Sequence, residues 1–412
     1  MSAAPMRSEG AAPRPLLAGA LALLALHDTG AVAKASAAPA TSPRFSHVFV
    51  IVLENEPYEE TFGEDSPAPY LSKELPSRGA LLREYYGIGH ASLDNYIAMI
   101  SGQAATPETR DDCETFTDFS LTGMTPDGQA IGRGCVYPAS IPTIAGQLGA
   151  RHLAWRAYME DMGNDPAREA RSCGHPPVGA PDPTQSAEAP SARVPQGDQY
   201  AARHNPFVYF HSIIDGPGCA RNVVRLDELA HDLGSAARTP ALVFISPNLC
   251  HDGHDAPCKN GEPGGLRSAD AFLKVWVPRI LASAAYRQGG LLVITFDEGD
   301  VKAVPDGANA YRIDYAGAKC CNEQPGPNLG PFPQTEHWQN YTLVFQDFGG
   351  DRTGTVLLSP RIAPGQVAAT PFNHYSLLRS LEQAFGIDSY LGYAGQPGLT
   401  GFFERGSDIK LR

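Results

Sequence analysis

The eight cysteines of this 412-residue chain include no C-x-x-C pair, which argues against a cysteine-ligated zinc centre. Positive charge is also short: 32 Lys and Arg stand against 45 Asp and Glu, for a formal net charge of −13. A general nucleic-acid or anionic-membrane binder needs a basic footprint that this balance does not supply. A small phosphorylated ligand is not excluded, because it responds to the local charge of a cleft. Long hydrophobic runs are missing too. The apolar stretch "PLLAGALALLAL" near the N-terminus is too short to cross a bilayer comfortably, so no stable membrane span is expected. Charged residues make up only 19 % of the chain, and no internal repeat is present.

What is present begins with an export signature. Arg7 and Arg14 precede the apolar stretch, and small-residue sites follow in "AVAKASAAPA". Residues 1–40 therefore read as signal peptide and linker, and 41–412 as a single domain of a secreted or periplasmic protein. The even cysteine count suits that compartment. Neighbours in sequence suggest pairs Cys113–Cys135, Cys173–Cys219 and Cys250–Cys258; the adjacent Cys320 and Cys321 either bridge each other or pair elsewhere. Gly (42) and Pro (36) supply about 19 % of the chain, against a usual ~12 %, which implies long ordered loops.

Apolar runs at 47–54, 81–88, 152–159, 241–246, 290–298 and 355–360 read as strands. Helical periodicity covers 95–102, 141–150, 223–234, 268–286 and 373–386. Their alternation predicts an α/β fold: a doubly wound, mainly parallel sheet with helices on both faces. Two Gly- and Pro-rich stretches, 160–203 and 300–340, are expected to wall the site. In such sheets a ligand sits beyond the carboxyl ends of the strands. Polar residues gather there: Glu54-Asn55 after "VFVIVL", Asp297-Glu298 after "LLVITF", and "SPNLCHDGHD" after "ALVFI".

Ser92, in "GHASLDNYIAMISG", stands just before a predicted helix. An N-cap explains it alone. The same geometry also suits a nucleophile facing an anion at the helix N-terminus, with Asn95 adding a carboxamide donor to a phosphoryl oxygen. No G-x-S-x-G surrounds Ser92, so its activator is sought among acids. Glu54, Asn55, Asp297 and Glu298 offer a hard oxygen shell for a divalent cation whose identity is open. Such an ion would lower the pKa of Ser92. In "HDGHD", Asp252 is a further metal ligand or orienter, and His254 a general acid and phosphate ligand. His204 and His374 are weaker candidates that local capping would also explain, and His90 has no assigned role.

These residues resemble a known family: the bacterial phosphoesterases that include secreted acid phosphatases and phospholipases C, within the alkaline-phosphatase-like superfamily. The resemblance runs from about Ser46 to Ile387. It rests on "VIVLEN", "HASLDNYIAMISGQ", "LAWRAYMEDM", "RHNPFVYF", "FISPNLCHDGHD", "LLVITFDEG" and "NHYSLLRSLEQAFG" in that order. It implies that Glu54, Asn55, Asp297 and Glu298 hold the metal with Ser92, that Ser92 is the nucleophile, and that His204 and His254 line the phosphate site. "SLDNY" also looks like the nucleophile turn of nucleotide pyrophosphatases, with Asn95 on phosphate.

Two departures bear on the substrate. Ala91 and Asp94 replace the prolines of an "HPSLPNY" pattern. "FDEGDVKAVP" lacks the Gly-rich, His-containing motif of the phospholipase branch, and the chain ends soon after "GFFERGSDIK" without that branch's extra β domains. Both features of the second departure favour an acid phosphatase acting on monoesters through a phosphoserine. A phospholipase C-type diesterase, with a phospholipid or phosphoinositide substrate, is the near alternative. A catalytically silent exported metal-binding protein is the alternative of another class.

Overall fold

Six residues, Val48–Leu53, form a strand buried on both faces. Val48, Val50 and Val52 enter one core, while Phe49, Ile51 and Leu53 enter the other. A strand apolar in both registers belongs at the centre of a covered parallel sheet, and that is its place. The computed structural model describes residues 45–299 and 301–412; the expected export segment lies outside them. The eight-stranded sheet runs, edge to edge, Gln366–Ala368, Ala80–Leu82, Thr355–Leu358, Leu291–Phe296, Val48–Leu53, Leu242–Ser246, Trp155–Met159 and Val223–Arg225. Thr355–Leu358 pairs antiparallel with both neighbours; the remaining pairings are parallel.

Helices cover both faces. On one, helix Ser92–Ser101 packs Leu93, Tyr96, Ile97 and Ile100 beside Leu377, Leu378 and Leu381 of helix His374–Ala384. The first ends at Gly102, φ +69°, where a Cβ would lie 2.2 Å from the Leu391 carbonyl oxygen. The second starts on Asn373, whose side chain accepts from Ser376 N. On the other face, helix Gly265–Ala282 buries Leu266, Phe272, Leu273, Val277 and Ile280.

The structure departs from the sequence expectation at four places. The helix expected over 223–234 is a strand, Val223–Arg225, then a short helix, Glu228–Asp232. The β-branched Val223 and Val224 pair with Ala157 and Tyr158 at the sheet edge, and tertiary pairing overrides the periodicity. The helix over 268–286 breaks at Ser283, which turns extended and caps Ala284–Arg287. The run 81–88 divides into Ala80–Leu82 and Tyr85–Tyr86. The stretch 300–340, expected as loop, builds most of a second sheet from Val304–Pro305, Tyr311–Tyr315, Gln334–Trp338 and Tyr341–Phe345. By contrast, 160–203 consists of turns and isolated bridges ahead of a 3₁₀ turn at Ala202–His204.

Disulfides join Cys113–Cys135, Cys173–Cys219, Cys250–Cys258 and the adjacent Cys320–Cys321. No helix of the described residues is long and apolar enough to cross a membrane.

Candidate functional site

Because Leu53 pairs in register with Phe296, Glu54 and Asp297 leave neighbouring strands at the same level. Asn55 N then donates to Asp297 Oδ1 at 2.9 Å, and Asn55 Nδ2 to Glu298 Oε1 at 2.6 Å. Glu54 N donates to the Asp252 carbonyl at 2.9 Å, which ties the "HDGHD" loop to the same strand end. The turn before Ser92 threads past the same two acidic residues. A Cβ on Gly87 would meet Asp297 O at 2.7 Å and Glu298 Cα at 3.1 Å, so only glycine admits this approach. Ser92 therefore arrives with its Oγ donating to Glu54 Oε2 at 2.7 Å.

Glu54, Asp252, Asp297 and Glu298 are all at most 4 % exposed, and their mutual effects follow from that crowding. Burial, more than it is offset by the Ser92 and Tyr96 hydroxyls, raises the Glu54 carboxyl. Burial and then the charges of Glu54 and Glu298 push Asp297 well above the carboxylate range. Burial and Glu54 lift Asp252 to about 8; burial lifts Glu298 to about 7 against the pull of His90. Glu54 Oε1, Asp252 Oδ2 and Asp297 Oδ2 are buried without a hydrogen-bond partner. Buried anionic oxygens in that state call for a counter-cation. Carboxylate and carboxamide oxygens are the donors a hard divalent ion takes, so the chemistry of these residues fits one.

The histidines divide by environment. His204 stacks on Tyr96 at 5.4 Å and sets Nε2 3.4 Å from Glu54 Oε1. Burial holds its ring well below the usual histidine value, so it is neutral. His254 is half-exposed at the edge; its pair with Asp255 at 3.2 Å raises it to about 9, so it is a cation at neutral pH. His374 contacts the Asp297 carbonyl through Nε2 and the Tyr85 hydroxyl at 2.9 Å through Nδ1, and burial lowers it to about 3. It braces the Asp297 backbone.

Two placements differ from the sequence reading. Asn95, expected on a phosphoryl oxygen, is fully buried. Its Oδ1 accepts from Ile88 N at 2.7 Å, and its Nδ2 donates to Gly89 O and Ala91 O, both at 3.0 Å. With both ends of the carboxamide engaged by the turn, it is a positioning residue for Ser92. His90, without a role in the sequence, lies 3.0 Å from Glu298 Oε2 through Nδ1 and 2.9 Å from Asp351 Oδ2 through Nε2. Burial opposes its charge, yet the two carboxylates raise it to about 9.

Sequence reasoning missed Asp351, which carries no motif, and Arg203. Arg203 brings positive charge to Asp112, Glu54 and Asp252; its position beside His204 in "RHNPFVYF" was the available signal. Among the described residues, the group whose ligand atoms all lie within 4.8 Å of one another is a different one: Cys250, His251 and Glu262. Cys250 is bridged to Cys258, and His251 sits between Glu160 at 3.0 Å and Glu262 at 3.2 Å, so this group is an ion-pair network.

The chain is similar to several known proteins. The phosphate-repressible acid phosphatase of Penicillium chrysogenum is 26 % identical, over 66 % of this chain and 52 % of its own length. The acid phosphatase of Aspergillus fumigatus is 24 % identical over 62 % and 45 %. The chain thus spans about half the length of these fungal relatives. The phosphatidylinositol-3-phosphatase of Mycobacterium tuberculosis is 22 % identical over 89 % of this chain and 85 % of its own. Among solved structures, a protein of the alkaline phosphatase superfamily from Vibrio parahaemolyticus aligns over 85 % of this chain and 68 % of its own, with 9 % identity and a TM-score of 0.44. The model of the phosphoesterase family matches residues 66–388, from just past Glu54 and Asn55 to the end of the last long helix, and the chain belongs to that family.

Proposed function

We propose that this protein is an exported, metal-dependent phosphomonoesterase that works through a phosphoserine at Ser92. The observation that carries the reading is the 2.7 Å contact from Ser92 Oγ to Glu54 Oε2, inside a cluster of buried and incompletely partnered carboxylates. Glu54, Asn55, Ser92, Asp297 and Glu298, with Asp252 beside them, would hold the cation. When bound, it would lower the Ser92 pKa and neutralise phosphoryl charge.

The chain's own residues supply the rest. Glu54 Oε2 accepts the Ser92 hydroxyl proton and keeps Oγ oriented. As the Oγ–P bond forms, the ester O–P bond breaks and the alcohol leaves with a proton, for which His254 is the cationic donor at the edge. Water then cleaves Oγ–P: it gives a proton to the now neutral His254, Glu54 returns its proton to Oγ, and Ser92 and inorganic phosphate result. Arg203 and His254 supply positive charge for the equatorial oxygens.

The monoester reading is supported by the acid phosphatases among the relatives, and a phosphoinositide substrate by the Mycobacterium tuberculosis relative. Export is supported by four disulfides. The test is p-nitrophenyl phosphate turnover by purified protein before and after chelation. Turnover lost on chelation and restored by a divalent ion is expected. A folded protein inert under both conditions would instead be a silent metal binder.

A further inference from the structure

The second sheet has two unlike faces. Its register sets Tyr311, Tyr341 and Trp338 in one row, Ile313, Leu343 and Glu336 in the next, and Tyr315, Phe345 and Gln334 in the third. Register partners share a face, so all three rows lie on the same side. The opposite side carries Arg312, Asp314, Thr342, His337 and Thr335, with one buried apolar residue, Val344. Ring contacts confirm the rows: Tyr311 stacks on Tyr341 at 5.4 Å, Trp338 lies 5.8 Å from Tyr341, and Tyr315 stacks on Phe345 at 4.7 Å.

The third row is anchored at the candidate site. The Tyr315 ring lies 4.4 Å from that of His90, which touches Glu298. Arg110 lies 4.7 Å over Phe345 and donates to Gln334 Oε1. An apolar sheet face ordinarily packs on the body of its protein, and this row does. Moving outward the cover falls away: exposure rises from 4 % at Phe345 to 37 % at Tyr311 and 49 % at Trp338. From the covered third row to the exposed first row the face runs about 13 Å, four residues of strand rise.

We infer that this face holds the apolar part of the alcohol whose phosphate ester is cleaved at Ser92. The inference rests on the phosphomonoesterase reading and adds its substrate class: monophosphates of alcohols with an elongated apolar portion. The single occupant follows from continuity. A leaving group held by its phosphoryl end near Glu298 meets, beyond His90, a line of aromatic and aliphatic side chains and not bulk solvent. Tyr and Trp offer rigid apolar area at small entropic cost.

The test is kcat/KM for n-alkyl phosphates from propyl to decyl, each below its micelle concentration, paired with binding of propyl- and decylphosphonate by calorimetry. In the wild-type protein kcat/KM should rise about twofold per methylene over the middle of the series, as partial burial of each group implies. Decylphosphonate should bind more tightly than propylphosphonate by more than tenfold. Trp338→Ser with Tyr341→Ser should flatten both trends while leaving propyl phosphate turnover unchanged. A flat wild-type series with propyl phosphate still cleaved would overturn the inference alone. So would a rise that the double variant keeps, or a flat series with protein captured by phosphatidylcholine vesicles through Trp338. If no ester is cleaved, the phosphatase reading fails, and the phosphonate pair still decides whether the face binds alkyl chains.

Discussion

Ser92 and the carboxylates act in the proposed reaction through charge held close together in a dry setting, so single isosteric changes should be severe. Ser92→Ala should remove turnover by on the order of a thousandfold or more, with phosphonate binding retained, as steady-state kinetics and calorimetry would show. Asp297→Asn keeps the shape and removes one charge. It should weaken retention of the divalent ion and abolish most activity without a change in the far-ultraviolet spectrum; full turnover after metal stripping would refute the assignment. Asn95 belongs to a different class, because its bonds run to the backbone of residues 88–91. Asn95→Ala leaves the buried Ile88 N–H and Gly89 carbonyl without these partners, at a cost of about 1–3 kcal/mol each. The expected result is a lower unfolding midpoint together with a fall in kcat larger than the change in KM.

At the scale of elements, the site is where a strand end, a helix start and a loop meet. The loop is the least regular of the three, and Cys250–Cys258 closes it around His254 with a sequence separation of 8. Replacing both cysteines with alanine should lower stability by about 2–3 kcal/mol through the released loop entropy. The loop also carries His254 and Asp252, so kcat should fall while the sheet and helix signals persist. Denaturant titration beside steady-state kinetics checks both halves. Equal kcat in the double variant would remove His254 from the reaction. The second sheet is the other informative element. Read along the chain, "YRIDY", "QTEHW" and "YTLVF" hold no long apolar stretch. Folded, alternation and register gather their aromatic residues on one face.

For the whole molecule, pH and metal are linked with a definite sign. In chelated protein, Glu298 titrates at about 7 and Asp252 at about 8, above the ordinary carboxylate values near ~4. A carboxyl raised on folding contributes stability fully below its unfolded pKa and loses it as pH rises through the folded value. Chelated protein should therefore melt at a higher temperature at pH 5 than at pH 8. A divalent cation competes with those protons, so its stabilising shift should be larger at pH 8. Thermal melts at both pH values, with and without the ion, check this; a larger metal shift at pH 5 would contradict it. For the exported form, N-terminal sequencing should find a start between Lys34 and Ser42, and thiol titration of the folded protein should find no free cysteine.

Much of the site was legible in the linear chain because its signals are local. An apolar run that stops at Glu54-Asn55 or Asp297-Glu298 marks a strand end at the ligand-binding edge of a parallel sheet. Ser92 at the first position of a buried helix follows a turn, and nearby cysteines marked the pairs that form. What only the tertiary structure decided depends on contacts between distant segments. The strand at 223–225 exists because an edge was open to β-branched residues. His90 gains a role because the chain returns at 298 and 351 to place a carboxylate on each ring nitrogen. Asn95 turns inward because the Ile88 N–H and the Gly89 and Ala91 carbonyls engage both ends of its carboxamide. Periodicity and propensity act over a few residues, whereas register and burial are set by which strands pair, and that pairing set Glu54 level with Asp297 and against Ser92.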